Sequence, residues 1–316
     1  MATAQDLVLQ HPTNPIYNTF LATQSDKVWS RNYAPIKNII CHSGIDGAGT
    51  TQANFEEAFL PLYDDDTVRL RQPAVRPNSR HWRFETEADC ENWFNTEIVS
   101  VVLSAFNAYP VLMQTSHAKP LSEETITENT DLTFSVKIGN RRHAVAIGEM
   151  KRNILEPRAW RTGNVSAAKQ QEKLSKELRG YAHKYQCPQV FCFDGAYLLL
   201  LQFRATKPED LLSERCPVDT WVLPIKNTGC SLRYALYRIL VQGWRRCQAS
   251  ASPLASIGGL APEFREFYSG LPIWREGQTR QRSHPRGFQR SIDATNGSVF
   301  WSHPQYAVEW ETRAFW

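Results

Sequence analysis

Three ionisable residues in the middle of the chain combine side-chain types and a spacing that suit chemistry on a phosphate group. Glu149 and Lys151 lie two residues apart in the segment HAVAIGEMK, and Asp131 precedes them in the same region. Carboxylate oxygens are the ligands that Mg²⁺ prefers, and a bound divalent ion polarises a phosphoryl oxygen and lowers the pKa of a bound water molecule. A lysine beside such an ion can orient that water or neutralise the charge that develops on the phosphate. Asp131, Glu149 and Lys151 are therefore the first candidates for a site.

A β-hairpin is predicted to hold these three residues. Residues 132–138 alternate between apolar and polar side chains, a Gly-Asn pair follows, and residues 143–151 form the return strand. Because residues two apart in a strand share a face, Glu149 and Lys151 are expected to point the same way, together with Val145 and Ile147. The aspartate then lies at the open end of the hairpin, next to the glutamate and the lysine.

Helices and further strands are predicted around this hairpin. Periodic apolar residues predict helices, and short apolar runs bounded by turn residues predict strands. From these patterns we expect helices over 51–63, 86–109, 165–186 and 231–247, strands over 39–41, 189–193, 197–203 and 218–225, and a loop over 64–80.

The order of helix, hairpin, long helix and strand pair resembles the core of the PD-(D/E)XK nuclease superfamily, which includes restriction enzymes, Holliday-junction resolvases and many fungal and selfish-element nucleases. The resemblance covers residues 91–204, about a third of the chain. Thr130-Asp131 stands where the family has Pro-Asp, with threonine in place of proline. Glu149-Met150-Lys151 matches the (D/E)XK element itself.

The resemblance implies roles for residues on the flanking helices. Glu97 corresponds to the acid that many members carry on the first helix, and Glu91 is its rival for that place. In the long helix, Glu177 and Tyr181 are the nearest match to the family's QxxxY motif, with glutamate in place of glutamine. The implied catalytic residues are Asp131, Glu149, Lys151, Glu177 and Tyr181, and the implied ligands of Mg²⁺ or Mn²⁺ are Glu97, Asp131 and Glu149.

The predicted fold class is α/β, with a central mixed sheet flanked by helices in a restriction-endonuclease-like core with N- and C-terminal extensions. Hydrophobic residues make up 42 % and charged residues 22 % of the chain, which is typical of a globular protein. Residues 81–250 are expected to form the core and residues 1–80 an N-terminal extension. Residues 251–316, basic and ending in a strongly aromatic segment, are expected to form a C-terminal extension that packs on the core.

The resemblance implies metal-dependent hydrolysis of phosphodiester bonds, with nucleic acid as the partner and DNA ahead of RNA. The sequence leaves two alternatives open: a non-catalytic binding protein or effector that keeps the nuclease fold, and a P-loop-type kinase. A net charge of +4 permits contact with nucleic acid without requiring it. The basic candidates for phosphate contacts are Arg141, Arg142, Lys151, Arg152, Lys169, Lys173 and the five arginines between residues 275 and 290.

A glycine-rich segment, GIDGAGTT at residues 44–51, is the feature that suggests a kinase. It is similar to the P-loop of thymidylate kinases with the lysine deleted. Because that lysine is the group that reaches the β- and γ-phosphates, a glycine-rich turn is the better interpretation.

The chain is expected to be intracellular, in the cytoplasm or the nucleus. Its seven cysteines are odd in number and include no CxxC pair, which is typical of reduced thiols. The N-terminus has no apolar run of signal-peptide length, and no apolar stretch is long enough for a transmembrane helix, so no membrane contact is expected.

Overall fold

A computed structural model describes residues 2–18, 21–119 and 129–315. Its strands, in chain order, are β1 (Ala2–Thr3), β2 (Ile16–Asn18), β3 (Ile39–Cys41), β4 (Ser43–Ile45), β5 (Thr51–Ala53), β6 (Pro73–Ala74), β7 (Trp82–Phe84), β8 (Met113–Ala118), β9 (Thr130–Ile138), β10 (Arg141–Met150), β11 (Gln189–Phe193), β12 (Tyr197–Phe203), β13 (Val218–Pro224), β14 (Phe264–Arg265), β15 (Pro272–Glu276), β16 (Thr279–Gln281), β17 (Gln289–Ile292), β18 (Val299–His303) and β19 (Tyr306–Trp310). Its α-helices are α1 (Ala4–Val8), α2 (Asp64–Leu70), α3 (Glu87–Trp93), α4 (Ser100–Ser104), α5 (Pro157–Arg161), α6 (Lys169–Lys184) and α7 (Leu232–Ala251). A π-helical turn, Phe94–Val99, joins α3 to α4, and 3-10 turns cover Val28–Asn32, Val165–Ala167 and Pro208–Leu212.

The centre of the fold is a seven-stranded mixed sheet in the order β3-β13-β12-β11-β10-β9-β8. Strands β10 and β11 are parallel, as are β13 and β3, whereas the other neighbours are antiparallel. The connection from β10 to β11 runs through α5 and α6, as a parallel pair requires. The prediction of a central mixed sheet flanked by helices is confirmed.

Helices cover both faces of this sheet, and β11 shows how the sequence achieves this. Phe191 and Phe193 belong to the hydrophobic core formed with α3, α4 and α7, whereas Val190 and Cys192 belong to the core formed with α5 and α6. Alternate residues of a strand face opposite sides, so a strand that is buried on both sides reads as a continuous apolar run. The run at residues 189–193 is entirely buried.

A β-bulge in β10 changes one detail of the expected site. The register between β9 and β10 shifts between Ala144 and Ala146, so one extra residue is inserted there. Val145 consequently packs in the core beneath α7, while Ile147 packs against Tyr181 of α6. The prediction that Val145 shares a face with Glu149 and Lys151 is therefore wrong, because strand alternation is interrupted at the bulge.

The predicted helix over residues 51–63 is also wrong. Residues 51–53 form β5, and the helix in this region is α2, which begins at Asp64 in a segment expected to be a loop. Three aspartates occupy the first turn of α2, where negative charge is favoured by the helix dipole. The backbone N–H of Tyr63 donates to Asp66 Oδ2 at 2.8 Å, which fixes the start of the helix.

Both terminal regions are built into the fold. In the N-terminal region, β3 supplies one edge strand of the central sheet. In the C-terminal region, two three-stranded sheets, β14–β16 and β17–β19, surround a small core of Ile257, Trp274, Phe288 and Trp301. This region is tied to the rest of the chain by hydrogen bonds from Tyr109 to the carbonyl of Ala294 and from Gln248 to the carbonyl of Gly297.

Candidate active site

The ends of β9, β10 and β11 bring Asp131, Glu149 and Lys151 to one edge of the central sheet. The antiparallel register pairs Leu132 with Gly148, which sets Asp131 beside Glu149. The backbone N–H of Met150 donates to Asp131 Oδ2 at 2.6 Å. Just past the end of β10, the N–H of Lys151 donates to the carbonyl of Phe193 at 3.0 Å. The hairpin therefore positions all three residues through backbone contacts.

Helix α6 adds Glu177 and Tyr181 to this cluster. They are four residues apart and so lie on the same face of the helix. The ammonium group of Lys151 contacts the Glu149 carboxylate and lies 3.5 Å from Glu177 Oε1. The Tyr181 hydroxyl donates to Glu177 Oε1 at 3.4 Å and lies 3.3 Å from the carbonyl of Asn129. The structure thus brings together the five residues that were expected to be catalytic.

Residues of the N-terminal region complete the cluster, and sequence reasoning missed them. The Ser25 hydroxyl donates to Glu177 Oε2, and Lys27 Nζ lies 3.9 Å from Glu177 Oε1. Gly180 allows this approach, because a Cβ on it would lie 2.3 Å from the ring of Trp29. A glycine inside an otherwise strongly helix-forming segment was the one signal of close packing there.

Burial and charge together set the protonation of the site. Complete burial raises the pKa of Glu149 well above its usual value, despite the neighbouring Lys151, and the charges of Glu177 and Asp131 add to the effect. Burial also raises the pKa of Asp131. For Glu177, burial is outweighed by the charge of Lys151 and by hydrogen bonds with the protonated carboxyl of Glu149 and with Ser25, which hold its pKa below the usual value. Burial opposes the charge on Lys151, but the carboxylates of Glu149 and Glu177 raise its pKa. The lysine is therefore charged at neutral pH, whereas Glu149 tends to hold a proton.

The structure does not bring Glu97 to this cluster. Its carboxylate accepts hydrogen bonds from Asn14 at 2.7 Å and Trp82 at 2.9 Å, and lies 3.9 Å from Arg233. Glu97 lies in the π-helical turn, six residues after Glu91, and about 100° of rotation per residue points the two side chains in different directions.

The acid of the first helix that approaches the site is Glu91, the rival of Glu97. Its Oε2 lies 3.6 Å from His117 Nε2, and His117 Nδ1 lies 3.8 Å from Asp131 Oδ1. Burial raises the pKa of Glu91, and the charge of Asp131 adds to this. His117 has a φ of +50°, a conformation that is uncommon outside glycine and that concentrates at functional sites. No sequence pattern indicated His117, because it lies in β8, a polar edge strand.

Two carboxylates at this site, those of Asp131 and Glu149, could hold a metal ion. Among residues 2–18, 21–119 and 129–315, no three His, Cys, Asp or Glu side chains are placed so that they could hold a metal ion. Mg²⁺ usually keeps several water ligands and is held by one or two carboxylates together with substrate phosphates. Asp131 and Glu149 fit that pattern. Glu149 Oε2 is buried and has no hydrogen-bond partner, so one ligand atom is unsatisfied.

The glycine-rich segment at residues 44–51 is a turn, as its missing lysine indicated. It connects β4 to β5 in an antiparallel hairpin. The carboxylate of Asp46 accepts hydrogen bonds from the backbone N–H groups of Ala48 and Thr50, both at 2.9 Å. The backbone donors that would cradle a phosphate in a P-loop are therefore bound to the protein's own aspartate.

The arginines between residues 275 and 290 are engaged within the C-terminal region. Arg275 and Arg280 share Glu263, and Arg290 pairs with Glu311. Arg282 pairs with Glu266, and Arg286 donates to the carbonyl of Gly258. Arg141 and Arg142 lie at the turn end of β10, roughly 25–30 Å from its other end, since a strand rises about 3.3 Å per residue.

Comparison with family models, curated proteins and solved structures finds no match for this chain. In the described part of the chain, no helix combines the length and apolar character needed to cross a membrane. Any assignment of activity therefore depends on the chemistry of the site itself.

Proposed function

We propose that this chain is a metal-dependent nuclease with a restriction-endonuclease-like core, hydrolysing phosphodiester bonds at Asp131, Glu149 and Lys151. The observation that carries the proposal is the buried carboxylate of Glu149. One of its oxygens contacts the ammonium group of Lys151, and the other, Oε2, has no partner. Because an unpartnered charge in a buried position is costly, such a group binds a proton or a cation.

Asp131 and Glu149 are the residues that would hold Mg²⁺ or Mn²⁺. When bound, a divalent ion supplies polarisation of a phosphoryl oxygen and a water of lowered pKa. Cation binding and proton binding compete at Glu149, whose pKa is raised because it is buried among other carboxylates. The excess of acids over bases in the cluster favours a divalent cation over a further protein hydrogen bond.

Lys151 is the residue that would stabilise negative charge on the phosphate in the transition state. Glu177 Oε1 lies 3.5 Å from its ammonium group, and Ser25 and Tyr181 hold the Glu177 carboxylate in turn. A positioned cation of this kind acts where charge develops during the reaction. Glutamate in place of the family's glutamine strengthens the hold on the lysine, because an ion pair replaces a neutral contact.

A second candidate is a non-catalytic binding protein that keeps the nuclease fold. The observation that favours it is the ion pairing of Lys151 with both Glu149 and Glu177, which must loosen before the ammonium group can reach a phosphate. This candidate predicts that nucleic acid is bound but not cleaved.

A cleavage assay separates the two candidates. A labelled DNA duplex, a labelled DNA single strand and their RNA equivalents are incubated with the protein in Mg²⁺, in Mn²⁺ and in EDTA. We expect cleavage with either ion, faster on DNA than on RNA, and none in EDTA. Binding of these substrates without cleavage at any ion concentration would reject the nuclease and leave the binding protein.

Nucleic acid is expected to be held chiefly through its backbone. Of the basic candidates, Lys151 and Arg152 directly follow β10, Lys169 begins α6, and Lys173 lies 3.2 Å from Asp26. Phosphate contacts release counterions, so affinity should fall steeply as salt rises and depend little on base sequence. Weak binding that does not change with salt would remove nucleic acid as the substrate.

A further inference from the structure

A cavity of about 430 Å³ opens on the same edge of the central sheet as the proposed active site. Strands β10 and β11 end at this edge, β12 begins there at Tyr197, and β13 ends there at Pro224, and both of these residues line the cavity. Neighbouring strands are about 4.8 Å apart, so β12 and β13 lie roughly 10–15 Å from β10. A nucleic-acid strand that crosses this edge would pass both places.

The charges that line the cavity are positive. Arg161 and Lys226 are part of its wall, and none of the lining residues that the structure describes is an aspartate or a glutamate. Arg161 donates to the Thr51 hydroxyl at 3.2 Å and to the carbonyl of Val222 at 3.3 Å, while its buried Nε has no hydrogen-bond partner. Lys226 is exposed to solvent. Two cations without an acid in one cavity attract an anion such as a phosphate group.

The rest of the wall suits a nucleobase. Tyr197 is half-buried and offers an aromatic ring, and Ile45, 60 % exposed, offers apolar surface beside it. The amide of Asn18 is paired with that of Asn153, and its Oδ1 accepts from Asn153 Nδ2 at 3.1 Å. Asn18 Nδ2 donates to Asn153 Oδ1 at 2.7 Å, so the cavity wall is joined to the segment that follows Lys151. The volume lies within the range of small-molecule sites, about 300–1,000 Å³.

We propose that this cavity binds one nucleotide of the substrate strand, flanking the phosphodiester that is cleaved at Glu149 and Lys151. Its phosphate contacts Arg161 and Lys226, and its base stacks on Tyr197. The inference rests on the proposed nuclease function for the identity of the strand.

The phosphate is not held by the glycine-rich turn, although Gly49 of that turn lines the cavity. The N–H groups on either side of Gly49 already donate to Asp46. Side chains therefore contact the phosphate. Substituting them tests phosphate recognition without disturbing the β4–β5 hairpin.

Binding of a short fluorescein-labelled oligodeoxythymidylate, measured by anisotropy in EDTA, tests the cavity apart from catalysis. Tyr197→Ala should weaken binding about 5- to 100-fold, whereas Tyr197→Phe, which keeps the ring, should bind like the wild type. Lys226→Ala should lower the slope of log affinity against log salt by about 0.7, as expected for one lost phosphate contact. Lys137→Ala, at an exposed lysine near the opposite end of β9, should leave the slope unchanged. Thermal melting confirms that each variant is folded.

Cleavage in Mg²⁺, measured on the same variants, distinguishes the two proposals. If the wild type cleaves but neither Tyr197→Ala nor Lys226→Ala changes binding, the cavity proposal is overturned and the nuclease stands. If binding depends on both residues but nothing is cleaved, the cavity proposal stands and the nuclease falls. If thymidine 5′-monophosphate binds as tightly as the oligonucleotide, the occupant is a free nucleotide and the strand assignment is overturned. A wild-type protein that binds neither the oligonucleotide nor thymidine 5′-monophosphate also overturns the strand assignment.

Discussion

Two buried charge clusters in this molecule contain the same kinds of side chain in different proportions. The buried part of the site cluster consists of Asp131, Glu149, Lys151 and Glu177, with three acids and one base. Lys27, 3.9 Å from Glu177 Oε1, adds a second base whose side chain is 42 % exposed. The α2–α7 cluster consists of Asp65, Asp66, Arg69 and Arg245, with two acids and two bases. Both lie where solvent has little access, so the balance of charge decides what each cluster can do.

The α2–α7 cluster is neutral and closely paired. Arg245 lies 2.7 Å from Asp65 Oδ1 and 3.1 Å from Asp66 Oδ2, and Arg69 contacts both aspartates. The hydroxyl of Tyr237 donates to Asp66 at 2.6 Å. Despite burial, the two arginines hold the pKa of Asp66 below its usual value. This cluster joins α2 to α7. Some buried nitrogens of Arg69 and Arg245 have no hydrogen-bond partner, but two acids and two bases leave no net charge to attract an ion.

The site cluster differs because its negative charge exceeds its positive charge. Lys151 cannot neutralise all three acids. The pKa of Glu149 is raised, whereas the pKa of Asp66 is lowered. Burial and ion pairing alone therefore do not identify a functional site. An unbalanced charge with an unsatisfied oxygen does, since it leaves a place for a cation.

The largest expected effect is on cleavage. Lys151→Met should lower turnover by about 100-fold or more, with less effect on substrate binding, because the lysine acts on charge that develops in the transition state. The matched variant in the other cluster, Arg245→Met, should lower stability but leave the turnover of the folded protein unchanged. Turnover is measured at saturating substrate, with circular dichroism as the check on folding. A Lys151→Met protein that cleaves at the wild-type rate would remove the lysine from the mechanism.

The same acid-to-amide substitution should affect stability differently in the two clusters. Asp66→Asn removes one partner of a buried ion pair and should lower the free energy of unfolding by about 3–5 kcal/mol. Burial disfavours ionisation of Glu149, so Glu149→Gln removes a group that is costly to charge. We expect its stability to equal or exceed that of the wild type, with cleavage lost. Urea denaturation of both variants provides the measurement. Equal destabilisation of the two proteins would mean that the clusters do not differ as described.

A pH series extends the comparison to a third buried acid, Glu311, whose charge is balanced by Arg265 and Arg290. Although burial opposes ionisation, the two arginines lower its pKa from 4.5 to about 2. The resulting stabilisation, roughly 3 kcal/mol, is fully present above pH 4.5 and is lost as the pH falls through 2. Glu311→Gln should be less stable than the wild type at neutral pH, and the gap should close at the acid end. A gap that stays constant with pH would contradict the shift.

The smallest effect is expected at the exposed charges of the C-terminal region. Arg275 pairs with Glu263, but its side chain is 43 % exposed, and solvent screens such a pair. Arg275→Ala should change the free energy of unfolding by less than about 1 kcal/mol. It should also leave the affinity for oligonucleotides unchanged, because this arginine is engaged with Glu263. A clear loss of affinity in Arg275→Ala would show that the arginines between residues 275 and 290 contact nucleic acid.

Local signals predicted the hairpin and the strands that follow it. The bounds expected for residues 189–193 and 197–203 agree with β11 and β12, because turn residues punctuate continuous apolar runs there. Polar edge strand β8 was missed, since its exposed face carries no apolar alternation. The helix expected over residues 51–63 failed because its apolar residues, Phe55 and Phe59 among them, pack on Trp221 from a non-helical segment.

The parts of the site that could not be predicted from the sequence depend on tertiary packing. Asp131, Glu149 and Lys151 come from one hairpin, so spacing alone was enough to group them. Ser25 and Lys27 reach the site from a segment more than a hundred residues away, and no periodicity records that approach. The choice between Glu91 and Glu97 depended on the orientation of a helix with a π-helical turn, which the sequence pattern does not reveal.

The most direct test of the central claim is a crystal structure of the protein soaked in Mn²⁺, with anomalous diffraction to locate the ion. We expect an anomalous peak bound by the carboxylates of Asp131 and Glu149, at about 2.0–2.6 Å from their oxygens. The peak should be absent in Glu149→Gln and retained in Asp66→Asn. A wild-type crystal with no peak at these two residues, at an Mn²⁺ concentration that supports cleavage, would contradict the account.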